Sequence, residues 1–215
     1  GIARWQLATG KTALEGWADH LPPWVKGYFR AYLVIWTVAV SAALTNATGL
    51  GIANLTGGAI SQSWGAVLHS LIGFTFVWLG GYGNFEKLMK VLVGVMGFSI
   101  VVCAALTMNN PGPAIAGLVL PTIPVGSGTY VLSLIGGIGG SVTMLSYNYW
   151  MREEGMRGSG YLSYVRGDVA IAYIFTALFG ISIMLIANTA FFVPGVALKD
   201  AEAVPRMAAF LGTIL

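Results

Sequence analysis

Five long runs of apolar residues, separated by shorter polar stretches, organise this chain: 28–50, 64–81, 88–107, 130–151 and 169–193. Each comes close to the roughly 20 residues that a helix needs to cross the hydrocarbon core of a bilayer. A sixth run begins at Val204 and is still apolar at Leu215. The pattern predicts an all-α integral membrane protein, with a mixed segment over 1–27 and a membrane domain over 28–215. Pro22-Pro23 closes the mixed segment and stops any helix that precedes it. The stretch 109–128 holds four prolines and reads as a long loop lying partly in the membrane interface. The chain starts at Gly1 without Met and ends inside an apolar run, so it is expected to be a piece of a longer protein.

Composition sharpens this picture. Charged residues make up 9% of the chain, against about 25% in a typical soluble domain. Arg4, Lys11, Lys26 and Arg30 precede the first span. Lys87 and Lys90 follow the second, and Arg152, Arg157 and Arg166 follow the fourth. Only Lys199 and Arg206 fall on the opposite side, nine basic residues against two. The basic loops are therefore expected on the cytoplasmic side. Basic residues distributed in this way mark orientation, so nucleic acid is not expected as a partner; the lipid bilayer is. Cys103 is the single cysteine and leaves no internal disulfide to form. No signal-peptide pattern is present. No Asp or Glu lies within a span, which argues against a membrane enzyme or a proton pump, both of which usually need buried ionisable groups.

The fourth run contains the chain's oddest local feature, SLIGGIGGSVTMLSYNYW. Gly136, Gly137, Gly139 and Gly140 fall within five residues, and glycine costs about 1 kcal/mol against alanine inside a helix. Two readings fit. Gly136 and Gly140 have the spacing that lets two helices approach closely. Alternatively the span is unwound at mid-membrane, where freed backbone carbonyls coordinate a cation, as in discontinuous transporter helices. Crowding of the glycines beyond what packing needs, and the hydroxyls of Ser141 and Thr143 directly after them, favour the unwound form. On that reading the joint lies at Ile138–Ser141, with Ile138, Gly139, Gly140 and Thr143 as metal ligands. Ser141 and Asn148 then line the transport path.

Other polar residues within spans carry weaker signals. Thr45, Asn46 and Thr48 near the end of the first span are polar enough to line a path, although threonine in a helix often bonds its own backbone. Asn188, late in the fifth span, either joins the path or bonds a neighbouring helix. His69 is alone in the second span and reads as a hydrogen-bonded packing residue. Trp5, Trp17, Trp24, Trp64 and Trp150 sit near span ends, where indole is at home.

Three stretches carry a resemblance to a known family. GIARWQLATGKTALEGWADHL looks like the segment after the second helix of NRAMP-type divalent-metal transporters. SLIGGIGGSVTMLSYNYWMREEG resembles that family's sixth helix, and GDVAIAYIFTALFGISIMLIANTAFF its seventh. The likeness runs in order along the whole chain, as helices three to seven and part of eight. It implies a LeuT-like fold of two inverted repeats, with metal bound where helices one and six unwind.

The chain departs from the family pattern where the ligands stand. At the positions of the family's sixth-helix Met-Pro-His-Asn it has Gly140, Ser141, Val142 and Thr143, and at the paired acids of helix three it has Thr45 and Thr48. A thioether selects transition metals; Mg²⁺ prefers oxygen ligands and keeps several waters. The resemblance therefore implies the magnesium-transporting branch, carrying hydrated Mg²⁺ without proton coupling, in a prokaryotic plasma membrane. The alternatives are a proton-coupled Mn²⁺ or Fe²⁺ carrier of the same family, an amino-acid carrier on the same fold, or a membrane subunit that transports nothing.

Overall fold

The structure is a computed structural model that describes residues 1–108, 112–120, 123, 125–138, 141–192 and 200–214. Its described residues are almost entirely helical. Two short helices, α1 (Ile2–Thr9) and α2 (Ala13–His20), precede α3 (Pro23–Leu55) and α4 (Gln62–Thr107). There follow α5 (Gly112–Val119), α6 (Gly128–Ile138), α7 (Ser141–Glu153), α8 (Leu162–Ala187), a π-helical turn at Asn188–Phe192, and α9 (Asp200–Gly212). The all-helical integral membrane protein that the apolar runs predict is what the chain forms. Pro23–Leu55, Gln62–Thr107 and Ser159–Phe191 are long and apolar enough to cross a membrane. Their side chains are largely exposed, with Val34 at 64%, Ile72 at 69% and Ile171 at 69%. Contiguous apolar surface of this kind belongs against lipid or other apolar surface, because water tolerates only small patches.

Helix α4 joins two runs that the sequence separates. At about 1.5 Å per residue its 46 residues reach roughly 69 Å, more than twice the hydrocarbon thickness. Gly81 breaks it with φ 65° and ψ 173°, a conformation that glycine adopts without penalty. Residues 82–87, expected to be a loop, are helical, and Glu86 pairs with Lys90 one turn on. The proline-rich stretch also differs from the expected loop. Gly-Pro-Ala-Ile-Ala-Gly-Leu-Val forms α5. Pro113 occupies its first turn, where no intrahelical N–H is needed, and Pro121 lies just beyond its end.

The chain packs as two units, Gly1–Thr37 with Ala116–Tyr173, and Val38–Ile115 with Ile174–Leu215. The first unit has a core of Leu7, Met151 and Val165, flanked by Ala3, Met156 and Leu162. In the second, Ile100, Cys103, Ala104 and Ile186 form a core against which Met207, Phe210 and Leu211 of α9 pack at helical spacing. Small residues set the contact between the end of α3 and the start of α4. A Cβ at Gly49 would collide with the Gln62 carbonyl and lie 2.9 Å from the Ala66 methyl; one at Gly65 would lie 3.0 Å from Ile52 Cβ. Because the Gln62 carbonyl is backbone and cannot swing aside, Gly49→Ala is expected to cost about 1–3 kcal/mol. Thermal unfolding of the purified variant in detergent checks this.

Candidate functional site

Helix α6 ends at Ile138 and α7 begins at Ser141. Gly139 and Gly140, expected as the centre of the joint, lie outside the described residues. Ile138 is the last residue of α6, while Ser141 and Thr143 stand in the first turn of α7.

Two turns further along α7 the sequence expectation for Asn148 meets a different environment. Asn148 is fully buried, and both polar atoms of its side-chain amide have a partner. Its Nδ2 donates to Gln6 Oε1 at 2.6 Å, and Gln6 Nε2 donates to the Asn148 carbonyl oxygen at 2.9 Å. The Ala13 backbone N–H donates to Asn148 Oδ1 at 3.0 Å. Gln6 is itself 4% exposed. The side chain read from sequence as path-lining is therefore committed to holding α1 and α2 against α7.

A second contact reinforces this one. Thr12 and Glu15 form a capping box at the start of α2: the Thr12 hydroxyl accepts from the Glu15 N–H, and the Glu15 carboxylate accepts from the Thr12 N–H at 2.7 Å. The same carboxylate accepts from Arg152 of α7 at 2.6 Å. The Thr12 N–H, and then the Arg152 guanidinium, hold the Glu15 carboxyl down at about 2 from its usual 4.5. A depressed carboxyl pKa contributes stability that is full above the unfolded value and is lost as pH falls through the folded one. The melting temperature of Arg152→Gln should thus lie below that of the parent at pH 6, and the gap should close between pH 4.5 and pH 2. A gap of constant size across that range would contradict the assignment. On the other side of α7, Tyr147 donates to Asp168 Oδ2 at 2.7 Å, tying α7 to the first turns of α8.

The other expected path residues lie in the second unit. Thr48 Oγ1 donates to the carbonyls of Leu44 and Thr45 at 3.1 and 3.0 Å, bonding its own helix. Thr45 lines an open cleft of about 530 Å³ with Ser41, Asn46, Gln62 and Ser63, in which Gln62 Nε2 donates to Asn46 Oδ1. The cleft is uncharged, with Ala42 and Ala66 beside its polar residues. Asn188 is exposed at the first position of the π-helical turn, an irregularity often found at functional sites. Among the described residues, no three His, Cys, Asp or Glu side chains gather in one place.

Sequence reasoning missed Gln6, which sits in a segment read only as mixed. It had one usable signal there: Thr12-Ala-Leu-Glu15 spells a capping box and places the start of α2.

Comparison with known proteins bears on what this arrangement is for. The family model for natural resistance-associated macrophage protein-like proteins matches residues 2–215. Two curated bacterial relatives, each named divalent metal cation transporter MntH and found in two strains of Klebsiella pneumoniae, are 28% identical over 199 residues. That alignment takes in 88% of this chain and 46% of each relative, so the chain spans about half the length of the curated relatives it matches. No solved structure matches the chain at a comparable level.

Proposed function

Because the chain belongs to the natural resistance-associated macrophage protein-like family, we propose that the protein carries a divalent metal cation across a membrane, with hydrated Mg²⁺ as the ion. The observation that carries this reading is the family match, which runs over residues 2–215. The ion site is proposed within an apolar run whose centre reads Gly-Gly-Ile-Gly-Gly. A helix interrupted inside the membrane frees carbonyl groups that only a cavity or an ion can satisfy. The carbonyls of Ile138 and Gly139, the space left at Gly140 and the Thr143 hydroxyl form the proposed ion site. Ser141, directly after Gly140 in the chain, opens the proposed path.

The donor set explains the choice of ion. Carbonyls and hydroxyls are hard oxygen ligands, which suit Mg²⁺ with part of its water shell retained. With neither a thioether nor an imidazole at Gly140 and Val142, nothing in the sixth-helix motif favours a softer metal. The bacterial relatives point to a prokaryotic plasma membrane as its location.

Neutral ligands also set the coupling. Thr45, Thr48 and Val142 stand where the family's proton-handling residues would be, and none titrates between pH 5 and 8. The ion moves down its electrochemical gradient, with about 2.3 kcal/mol per charge from each 100 mV of potential and twice that for a divalent ion. Proteoliposomes holding the full-length protein and a pH-sensitive dye test this. Metal entry without matching internal acidification is the expected result. Stoichiometric acidification contradicts it and favours a proton-coupled Mn²⁺ or Fe²⁺ carrier. Entry of an amino acid, with no metal entry, favours the carrier on the same fold.

A further inference from the structure

Two cations at the start of α3 stand without a carboxylate partner. Lys26 and Arg30 lie four residues apart on one helix, so their Cβ atoms are about 5–6 Å from each other on the same face. Arg30 is exposed and Lys26 half-buried, and neither joins an ion pair among the described residues. Asp19 feels Lys26 through space, but its carboxylate already accepts from Lys11 at 2.6 Å, and that bond is what chiefly lowers its pKa. Like charges at this spacing repel, a small cost that an anion between them removes. The residues around the pair fix its depth. Residues 31–50 hold no Asp, Glu, Lys or Arg, and a helix of that length spans about 30 Å, the thickness of the hydrocarbon core. Arg30 is thus the last charge before the core, and Lys26 stands about 6 Å further out. Trp24 and Tyr28, both well exposed, carry the amphipathic rings that favour the same headgroup layer. Val34, one further step of four along α3, is also exposed and continues the face of the two cations as apolar surface.

We propose that Lys26 and Arg30 bind the phosphate of an anionic phospholipid, whose acyl chains lie along the Val34 face of α3. The order along the helix, two cations and then apolar surface, matches the order along a lipid, phosphate and then hydrocarbon. A guanidinium presents paired N–H donors to phosphate oxygens, and an ammonium adds a mobile point charge beside it. Free inorganic phosphate would satisfy the cations but gain nothing from the apolar face, so the lipid is the occupant. Net charge matters as well. A zwitterionic headgroup brings its own ammonium to the phosphate and leaves less for Lys26 and Arg30 to neutralise. This surface shares no residue with the proposed ion site, and its occupancy does not depend on which ion the protein carries.

The test titrates short-chain phosphatidylglycerol into the purified full-length protein in a non-ionic detergent and reads the rise in melting temperature. Phosphatidylcholine and inorganic phosphate are titrated in parallel. Phosphatidylglycerol is expected to act at the lowest concentration of the three. The double variant Lys26→Gln/Arg30→Gln should weaken its apparent affinity by about twentyfold, roughly fivefold for each cation. Lys87→Gln/Arg157→Gln, which removes the same charge elsewhere, should change it by less than about twofold. Equal weakening in the two double variants would show a response to net charge alone and overturn the proposal. So would a parent protein that phosphatidylglycerol does not stabilise, or one that phosphatidylcholine stabilises equally well. Competition by inorganic phosphate at equal concentration would show a free-anion site in place of a lipid one, and would overturn it too. Without lipid, Lys26→Gln/Arg30→Gln should melt no lower than the parent, since a repulsive pair has gone; a lower melting temperature would mean that these side chains serve the fold and not a lipid. Should the double variant fail to accumulate, Arg30→Gln alone replaces it, and an affinity within about twofold of the parent rejects the assignment.

Discussion

Asn148→Leu is expected to destabilise the folded protein by about 3 kcal/mol or more, the largest loss for any single substitution considered. Leucine keeps the branched skeleton of asparagine but is bulkier, so lost hydrogen bonds and some overpacking act together. The change leaves the Gln6 carbonyl oxygen and the Ala13 N–H without their partners, in a site that water does not reach. A buried polar group deprived of its partner costs about 1–3 kcal/mol, and two are orphaned here. Denaturant unfolding of the purified protein in detergent, followed by tryptophan fluorescence, measures the loss. A change below about 1 kcal/mol would mean that solvent enters the clamp and that Asn148 is not the buried link described here.

Gly140→Met is expected to have the largest effect on activity. The substitution puts a thioether into the proposed ion site and fills the space that a hydrated ion occupies. Uptake of Mg²⁺ should fall by about tenfold or more, because a partly hydrated hard ion gains nothing from sulfur and loses room for its waters. Transport of Mn²⁺ or Cd²⁺ should rise relative to Mg²⁺ in the same vesicles. Parallel uptake of the three ions by parent and variant provides the comparison; an unchanged preference would place Gly140 away from the ion.

The parts of the fold that were legible in the sequence are those written in local composition. The apolar run at 28–50 and the stretch 169–187 of the last full run became parts of α3 and α8 because any such run must form a helix to satisfy its own backbone in a membrane. The boundary between α4's two segments was legible only as a change in polarity. The structure puts the break at Gly81 and continues the helix through 82–87, since a single glycine can turn the chain without any loop. Helix α5 was hidden by Pro113, which counts against a helix in its interior but not in its first turn.

The candidate site was legible to a lesser degree. Thr48 carried its own warning, that a threonine hydroxyl inside a helix tends to bond the preceding turn, and it does. Asn148 shows the limit of local reading, because an amide inside an apolar run advertises polarity without saying what satisfies it. Its partner Gln6 lies 142 positions away, and no periodicity or spacing links two residues at that distance in a single sequence. The ion pair of Glu15 with Arg152 was invisible for the same reason. Local rules reach capping boxes and helix breaks; they do not reach contacts made by folding.

The central claim, that a divalent ion crosses the membrane through a site of hard oxygen ligands, is tested most directly by ion uptake. The full-length protein is placed in proteoliposomes with an inside-negative potential, and entry of Mg²⁺ and Cd²⁺ is measured side by side with empty vesicles as the reference. The account predicts saturable Mg²⁺ entry that depends on the protein, with Cd²⁺ entering weakly and failing to block it at equal concentration. Strong Cd²⁺ entry that displaces Mg²⁺ would contradict the hard-ligand site, and entry of neither ion would contradict divalent cation transport itself.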